Sequence, residues 1–335
     1  MTQTSPDFAA QVRHAIDTKT KPQGSLGRIE ALAEQIALLQ GTLEPRMDRA
    51  QLTIFAGDHG ITAEGVSAFP QEVTGQMVLN FVTGGAAANV FARSNDVALR
   101  VVDAGIAAPV GHADVLDRRA GAGTANAARM PAMTPDQRAH CFKAGAALGT
   151  DGECDAVLFG EMGIGNTASA TLVAHKITGL PVEVLTGRGT GVDDAGLARK
   201  KSVLTQAAAR TGNLSTAEAL LEYAGFEMVM MCGAMHAAAS ARRLVIVDGF
   251  IASASALAVL TAHPDVRDAF VFAHTSAESG HQAILDHLGV TPVLDLNLRL
   301  GEGTGALLAW PLIKSAAAML REMASFESAA VSERL

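Results

Sequence analysis

Apolar and polar positions along this chain fall into two rhythms. Near the start, Leu26, Ile29, Leu32, Ala33, Ile36 and Leu39 recur at three- and four-residue spacing, which predicts an amphipathic helix. The preceding Pro22-Gln23-Gly24-Ser25 reads as a turn, with Ser25 as the N-cap. At the other end, residues 306–323 are rich in Ala and Leu and predict a second helix, with Pro311 close to its start.

Between these ends the rhythm shortens. Apolar runs at 52–55, 99–102, 156–159, 182–185, 244–247, 270–273 and 293–296 each give way to glycine or small polar residues. Runs this short and this apolar suit strands buried on both faces, and the Ala-rich segments between them suit crossover helices. The pattern predicts an α/β chain on an essentially parallel sheet. Its glycines collect at the carboxyl ends of the strands, where such sheets bind ligands.

Composition narrows the partners. Aromatic residues are 4% of the 335, with one Trp310 and one Tyr223, which argues against a base-stacking nucleic-acid platform. The net charge of −8 argues against polyphosphate chains and anionic membranes, while leaving room for a small anion held by backbone N–H groups. The first residues show no basic, then apolar, leader. The longest uncharged apolar stretch, residues 249–264, is short for a membrane span. The three cysteines form no framework, so a soluble cytoplasmic protein is expected, with neither nucleic-acid nor membrane partners. The length allows one large or two unequal domains, and no linker or internal repeat marks a third.

The glycine loops carry the candidate chemistry. Gly187-Arg188-Gly189-Thr190-Gly191 and Gly301-Glu302-Gly303-Thr304-Gly305 lack the third glycine of the dinucleotide fingerprint, so a nicotinamide-dependent oxidoreductase is unsupported. A P-loop is excluded because no Gly-Lys dipeptide occurs. The usual phosphoribosyl-pyrophosphate loop is missing too: Asp193-Asp194 comes nearest but follows glycines, not an apolar strand. Gly163-Ile164-Gly165-Asn166-Thr167 leads into a helix-compatible run and could seat a phosphate monoester at a helix N-terminus. Ser276, Ser279 and Gly280 belong to a second strand-to-helix loop offering hydroxyl donors. His274, His281 and His287 lack metal-ligand spacing, as do Cys232 and His236, and no nucleophile elbow surrounds Ser253 or Ser255.

Taken in order, Lys21-Pro22-Gln23-Gly24-Ser25-Leu26-Gly27-Arg28, Gly57-Asp58-His59-Gly60, Pro70-Gln71-Glu72-Val73-Thr74, Gly160-Glu161-Met162-Gly163-Ile164-Gly165-Asn166-Thr167, the 187–191 loop and Leu300-Gly301-Glu302-Gly303-Thr304-Gly305 form a series. It resembles the nicotinate-nucleotide:dimethylbenzimidazole phosphoribosyltransferase family, and the likeness runs from Lys21 to about Ala317. The resemblance implies a three-layer, Rossmann-like α/β domain over residues 46–305. It also implies a small helical domain from both chain ends (1–45 with 306–335), a homodimer, and no cofactor or metal. The implied reaction, part of cobalamin nucleotide-loop synthesis, moves the 5-phosphoribosyl group from nicotinate mononucleotide to 5,6-dimethylbenzimidazole, with inversion at the anomeric carbon. Its products are α-ribazole 5′-phosphate and nicotinate.

Residue by residue, the resemblance makes Glu302 the base that takes the proton of the attacking ring. It puts Glu161 and Lys200 beside the ribose and phosphate, and Gln76, Ser276 and Leu300 near the flat base, where Phe69 and Met77 could add apolar walls. The phosphate is expected at Gly163, Gly165, Asn166 and Thr167, with Ser279 and Gly280 as further contacts. The competing reading is a non-catalytic binder of nucleotides or azoles, against which the presence of Glu302 counts.

Overall fold

The computed structural model describes residues 6–189 and 191–332. The first five residues, Thr190 of the 187–191 loop and the last three residues of the expected helical domain lie outside the described residues. In chain order, helices α1 (Pro6–Asp17) and α2 (Arg28–Gln40) precede strand β1 (Ala50–Gly57), followed by α3 (Glu72–Val82), α4 (Ala87–Ser94), β2 (Ala98–Gly105), β3 (Val115–Asp117) and α5 (Pro135–Thr150). Then come β4 (Ala156–Met162), α6 (Asn166–Thr178), α7 (Val182–Leu185), α8 (Asp194–Ala209), α9 (Thr216–Tyr223), α10 (Phe226–Ser240), β5 (Leu244–Val247) and α11 (Phe250–Ala262). The chain continues with β6 (Phe270–Phe272), β7 (His274–Ser276), α12 (Ser279–Leu288), β8 (Leu294–Leu298) and α13 (Thr304–Glu322).

Six strands form one sheet in the order β3-β2-β1-β4-β5-β6, and every pairing is parallel. The chain builds outward from β1 to β3, then returns to the other side of β1 to lay down β4. This reversal opens a crevice at the carboxyl ends of β1 and β4, where Ile54 pairs with Gly160 and Phe55 with Glu161. The motifs starting at Gly57 and Gly160 therefore face each other across that seam. Alternation along β1 sets the layers. Leu52 meets Gly303 at the head of α13 on one face. On the other, Gly57 meets Glu227 of α10, with α5 packed outside α10.

Both chain ends are helical, as expected. α2 packs on α1 and on the far part of α13, and Lys19 pairs with Ser325 in an antiparallel bridge. In detail the ends differ from the sequence pattern. The N-cap of α2 is Gly27, not Ser25, because Glu30 reaches back to accept the Leu26 N–H at 2.8 Å while pairing with Lys21 at 2.9 Å. Pro311 is well inside α13 instead of near its start, and its missing N–H falls on the exposed face.

Two strand expectations are corrected. Val182–Leu185 is one helical turn: Val182 and Leu185 are buried while Glu183 and Val184 are exposed, a three-residue period that a strand cannot satisfy. The last apolar run, together with the predicted loop His274-Thr275-Ser276, forms a separate two-stranded parallel sheet, β7 with β8, instead of extending the main one. The short edge strand β3 is additional. No helix among the described residues is long and apolar enough to cross a membrane.

Candidate active site

The last glycine loop brings Glu302 back over the seam. Glu302 has φ 63°, in the left-handed region, between Gly301 at 84° and Gly303 at 80°. A non-glycine residue held there stores about 1–3 kcal/mol of strain, which the surroundings must impose. They do so from three sides. A Cβ on Gly160 would stand 2.4 Å from the Glu302 carbonyl carbon, so β4 and the loop touch backbone to backbone. Asp248, just past β5, accepts N–H groups from Gly303 at 3.1 Å and Ala306 at 3.0 Å. The Glu302 N–H, in turn, is held by the Glu161 carboxyl group.

The Glu302 side chain is 6% exposed. One oxygen takes the N–H of Ala88 in the first turn of α4, where the helix end favours negative charge. The other, Oε2, accepts no hydrogen bond from any described residue. Burial pushes this carboxyl group up to about 7, with the Asp248 charge adding to the shift against the Ala88 hydrogen bond. It is thus poised to gain or lose a proton near neutrality.

Glu161 differs. It is buried at the end of β4, and desolvation raises it well above the usual carboxylate range, with the charges of Asp248, Glu227 and Glu302 adding. The Asn166 amide donates to its Oε2. Asn166 opens α6 behind Gly165, which takes φ 96°, so the expected loop-to-helix N-terminus is present. Lys200, from α8, is 1% exposed and donates to Thr167 Oγ1 at 2.8 Å and the Gly187 carbonyl at 3.2 Å. Burial lowers its ammonium to about 8, opposed by the nearby charge of Glu278. Beside it lies a cavity of about 650 Å³ lined by Thr186, Arg188, Lys201, Glu278, Ser279 and Arg299.

The structure therefore groups Glu161, Gly163, Gly165, Asn166, Thr167, Lys200 and Glu302 around one seam. Ser276 is buried, giving its N–H to His281 Nδ1 at 2.8 Å; Ser279 borders the cavity, and Gly280 lies against the Leu185 backbone. Gln76 on α3 and Leu300, 58% exposed, face outward, as does Phe69, while Met77 packs against the core. Asp193 is the N-cap of α8, accepting from Gly196 at 2.7 Å. His281 also bonds Ser253 at 2.8 Å, and His274 Nε2 stands 3.7 Å from Asp248. Among the described residues no group of three His, Cys, Asp or Glu side chains is disposed to hold a metal ion.

Several residues of the site went unassigned in sequence: Asp248, Asp58, His59, Thr74, Glu227 and Glu278. The first two share a legible signal, an Asp just past an apolar strand. A second cleft, about 980 Å³, lies between α2 and β6, lined by Arg28, Gln35, Leu38, Phe270 and Val290, away from all these loops.

Known proteins match this chain over nearly its full length. A family model described as phosphoribosyltransferase matches residues 1–331. Proteins named nicotinate-nucleotide–dimethylbenzimidazole phosphoribosyltransferase from Aromatoleum aromaticum and Dechloromonas aromatica are 51% and 52% identical to this chain. The matches cover 98% and 96% of it, and 97% and 95% of theirs. The crystal structure of CobT from Thermus thermophilus superposes with a TM-score of 0.95 at 42% identity, covering 98% of this chain and 100% of that one. The chain belongs to the nicotinate-nucleotide–dimethylbenzimidazole phosphoribosyltransferase family.

Proposed function

We propose that the seam between β1 and β4 is where this phosphoribosyltransferase transfers the 5-phosphoribosyl group of nicotinate mononucleotide to 5,6-dimethylbenzimidazole, with Glu302 as the base. The donor's ring nitrogen is quaternary, so nicotinate departs with the bonding electron pair as a neutral pyridine nitrogen and needs no acid. The acceptor needs the help. As one benzimidazole nitrogen bonds to C1′, the ring becomes cationic, and its remaining N–H proton passes to a carboxylate.

The observation that carries this reading is Glu302 Oε2: buried, without a partner, and on a carboxyl group that titrates near 7. An acceptor in that state matches a flat ring N–H. Glu161, raised well above the usual carboxylate range by burial, holds the Glu302 backbone; we assign it positioning and ribose contact. The phosphate is assigned to the α6 N-terminus at Gly163, Gly165, Asn166 and Thr167, with Lys200 bonded to Thr167 and the cations Arg188, Lys201 and Arg299 nearby. Gln76, Ser276 and Leu300 are assigned to the base side, and Ser279 and Gly280 to the cavity rim.

The packing of α2 on α13, with α1 packed on α2, supports a helical unit of residues 1–45 with 306–335. A homodimer in the cytoplasm completes the proposal. Incubating the protein with both substrates and measuring nicotinate release tests the function. A protein that binds both without releasing nicotinate would be a non-catalytic binder instead.

A further inference from the structure

Two of the motifs in the series have no part in the chemistry above: Gly57-Asp58-His59-Gly60 after β1, and Pro70-Gln71-Glu72-Val73-Thr74 at the start of α3. Yet Asp58, His59 and Thr74 in them are buried at the seam. His59 is 0% exposed with both ring nitrogens engaged, Nε2 at 2.8 Å from Glu227 Oε1 and Nδ1 at 2.8 Å from Ser169 Oγ. A carboxylate only accepts, so Nε2 carries a hydrogen. Ser169 is two residues beyond Thr167, in the first turn of α6. The ring also lies directly against the loop: a Cβ on Gly163 would stand 3.1 Å from His59 Nε2, and one on Gly165 would stand 3.2 Å from His59 Cβ.

Asp58 reaches the same loop by another route. Its Oδ2 accepts the Ala107 N–H at 2.8 Å; burial raises its carboxyl group above the ordinary range, and the Ala107 N–H and the neighbouring Thr74 hydroxyl oppose that rise. Thr74 is fully buried, and its Oγ1 accepts the N–H of Ile164 at 3.1 Å. Of these two adjacent residues at the end of β1, His59 is bonded to Ser169 in the first turn of α6, and Asp58 neighbours Thr74, whose hydroxyl holds Ile164.

We propose that Asp58 and His59 are positioning residues of the donor loop, setting where Ile164 and the first turn of α6 present the phosphoribosyl group. They act through Thr74 and Ser169 and not on the substrate. The proposal rests on assigning residues 163–167 to the nucleotide. It explains why ionisable side chains stand in a place where burial alone would favour apolar ones.

The test uses the intermediaries, which leave the buried His59–Glu227 pair intact. Thr74→Val keeps the shape and removes the acceptor; Thr74→Ser keeps the hydroxyl; Ser169→Ala removes the Nδ1 partner. With the full-length enzyme, kcat, the KM for each substrate and the melting temperature are measured. Thr74→Val and Ser169→Ala are expected to raise the KM for nicotinate mononucleotide ~3–10-fold, the worth of one net hydrogen bond, and to lower kcat. The KM for dimethylbenzimidazole stays near its parent value, and Thr74→Ser restores both parameters.

A lower melting temperature with unchanged kinetics would overturn the proposal, as would equal rises in both KM values or failure of the Ser rescue. If the parent enzyme releases no nicotinate, the functional assignment has failed instead.

Discussion

Asp248 Oδ2 accepts the backbone N–H of Gly303 at 3.1 Å, one residue past Glu302. Its second oxygen takes the Ala306 N–H at 3.0 Å, so the end of β5 caps α13 in place of the helix's own N-cap, a glycine. One side chain therefore fixes the loop that carries Glu302, the proposed base, and brings a buried negative charge close to it.

That charge gives the first prediction. A negative neighbour disfavours ionisation of Glu302, so Asp248→Asn should lower its pKa and move the acid limb of kcat/KM from about 7 to lower pH. The pH profile of kcat/KM checks this; an unmoved limb would show that burial alone sets the shift. The variant should also lose ~1–3 kcal/mol of stability, because an amide N–H replaces one acceptor facing a backbone N–H.

Glu302→Gln should cut kcat by ~10²–10⁴ while nicotinate mononucleotide still binds. Its stability should move in the opposite sense to its activity. Because the folded pKa of about 7 exceeds the ordinary 4.5, the contribution of Glu302 is fully present below 4.5 and lost as pH rises through 7. The melting temperature of Glu302→Gln should therefore gain on the parent between pH 5 and pH 8. A constant difference across that range would contradict the raised pKa.

Lys200 sets a limit on the alkaline side. With its ammonium lowered to about 8, the charge that orients Thr167, and in the proposed function faces the phosphate, is lost as pH passes that value. The KM for nicotinate mononucleotide should rise above pH 8 in the parent enzyme. In Lys200→Met it should be high and flat across the same range.

Gly160→Ala tests the contact behind the base. The new methyl carbon would lie 2.4 Å from the Glu302 carbonyl carbon, so the loop must move. A displacement of about 1 Å at a catalytic group costs on the order of 10²-fold in rate. That loss should appear in kcat, with the fold intact by circular dichroism.

The fold was legible where burial was simple. β4, β5 and β6 are buried on both faces along Ala156–Phe159, Leu244–Val247 and Phe270–Phe272, so each shows there as an uninterrupted apolar run, while the runs of β1 and β2 are broken only by Thr53 and Arg100. Val182–Leu185 also shows three apolar residues of four, but only its first and fourth residues are buried, a distinction that four letters do not display. β3 contributes only Val115, Leu116 and Asp117 at a half-exposed edge, with no run to notice. In the site, the 301–305 and 163–167 loops stood out through their glycines, and the role of Glu302 through the family resemblance. Asp248 and His59 did not, because their partners lie far along the chain: Gly303 for one, Ser169 and Glu227 for the other.

The reversal of strand order beside β1 also has a kinetic side. β1 pairs with β2 through Gln51 and Ala98, but with β4 through Gln51 and Val157, and the loop bearing Glu302 closes later still on Gly160. Contacts between such distant segments carry the larger chain-closure cost and form late. During refolding, helical signal should therefore return before turnover does, and a substrate that spans the seam should speed the last step by trapping its two halves together.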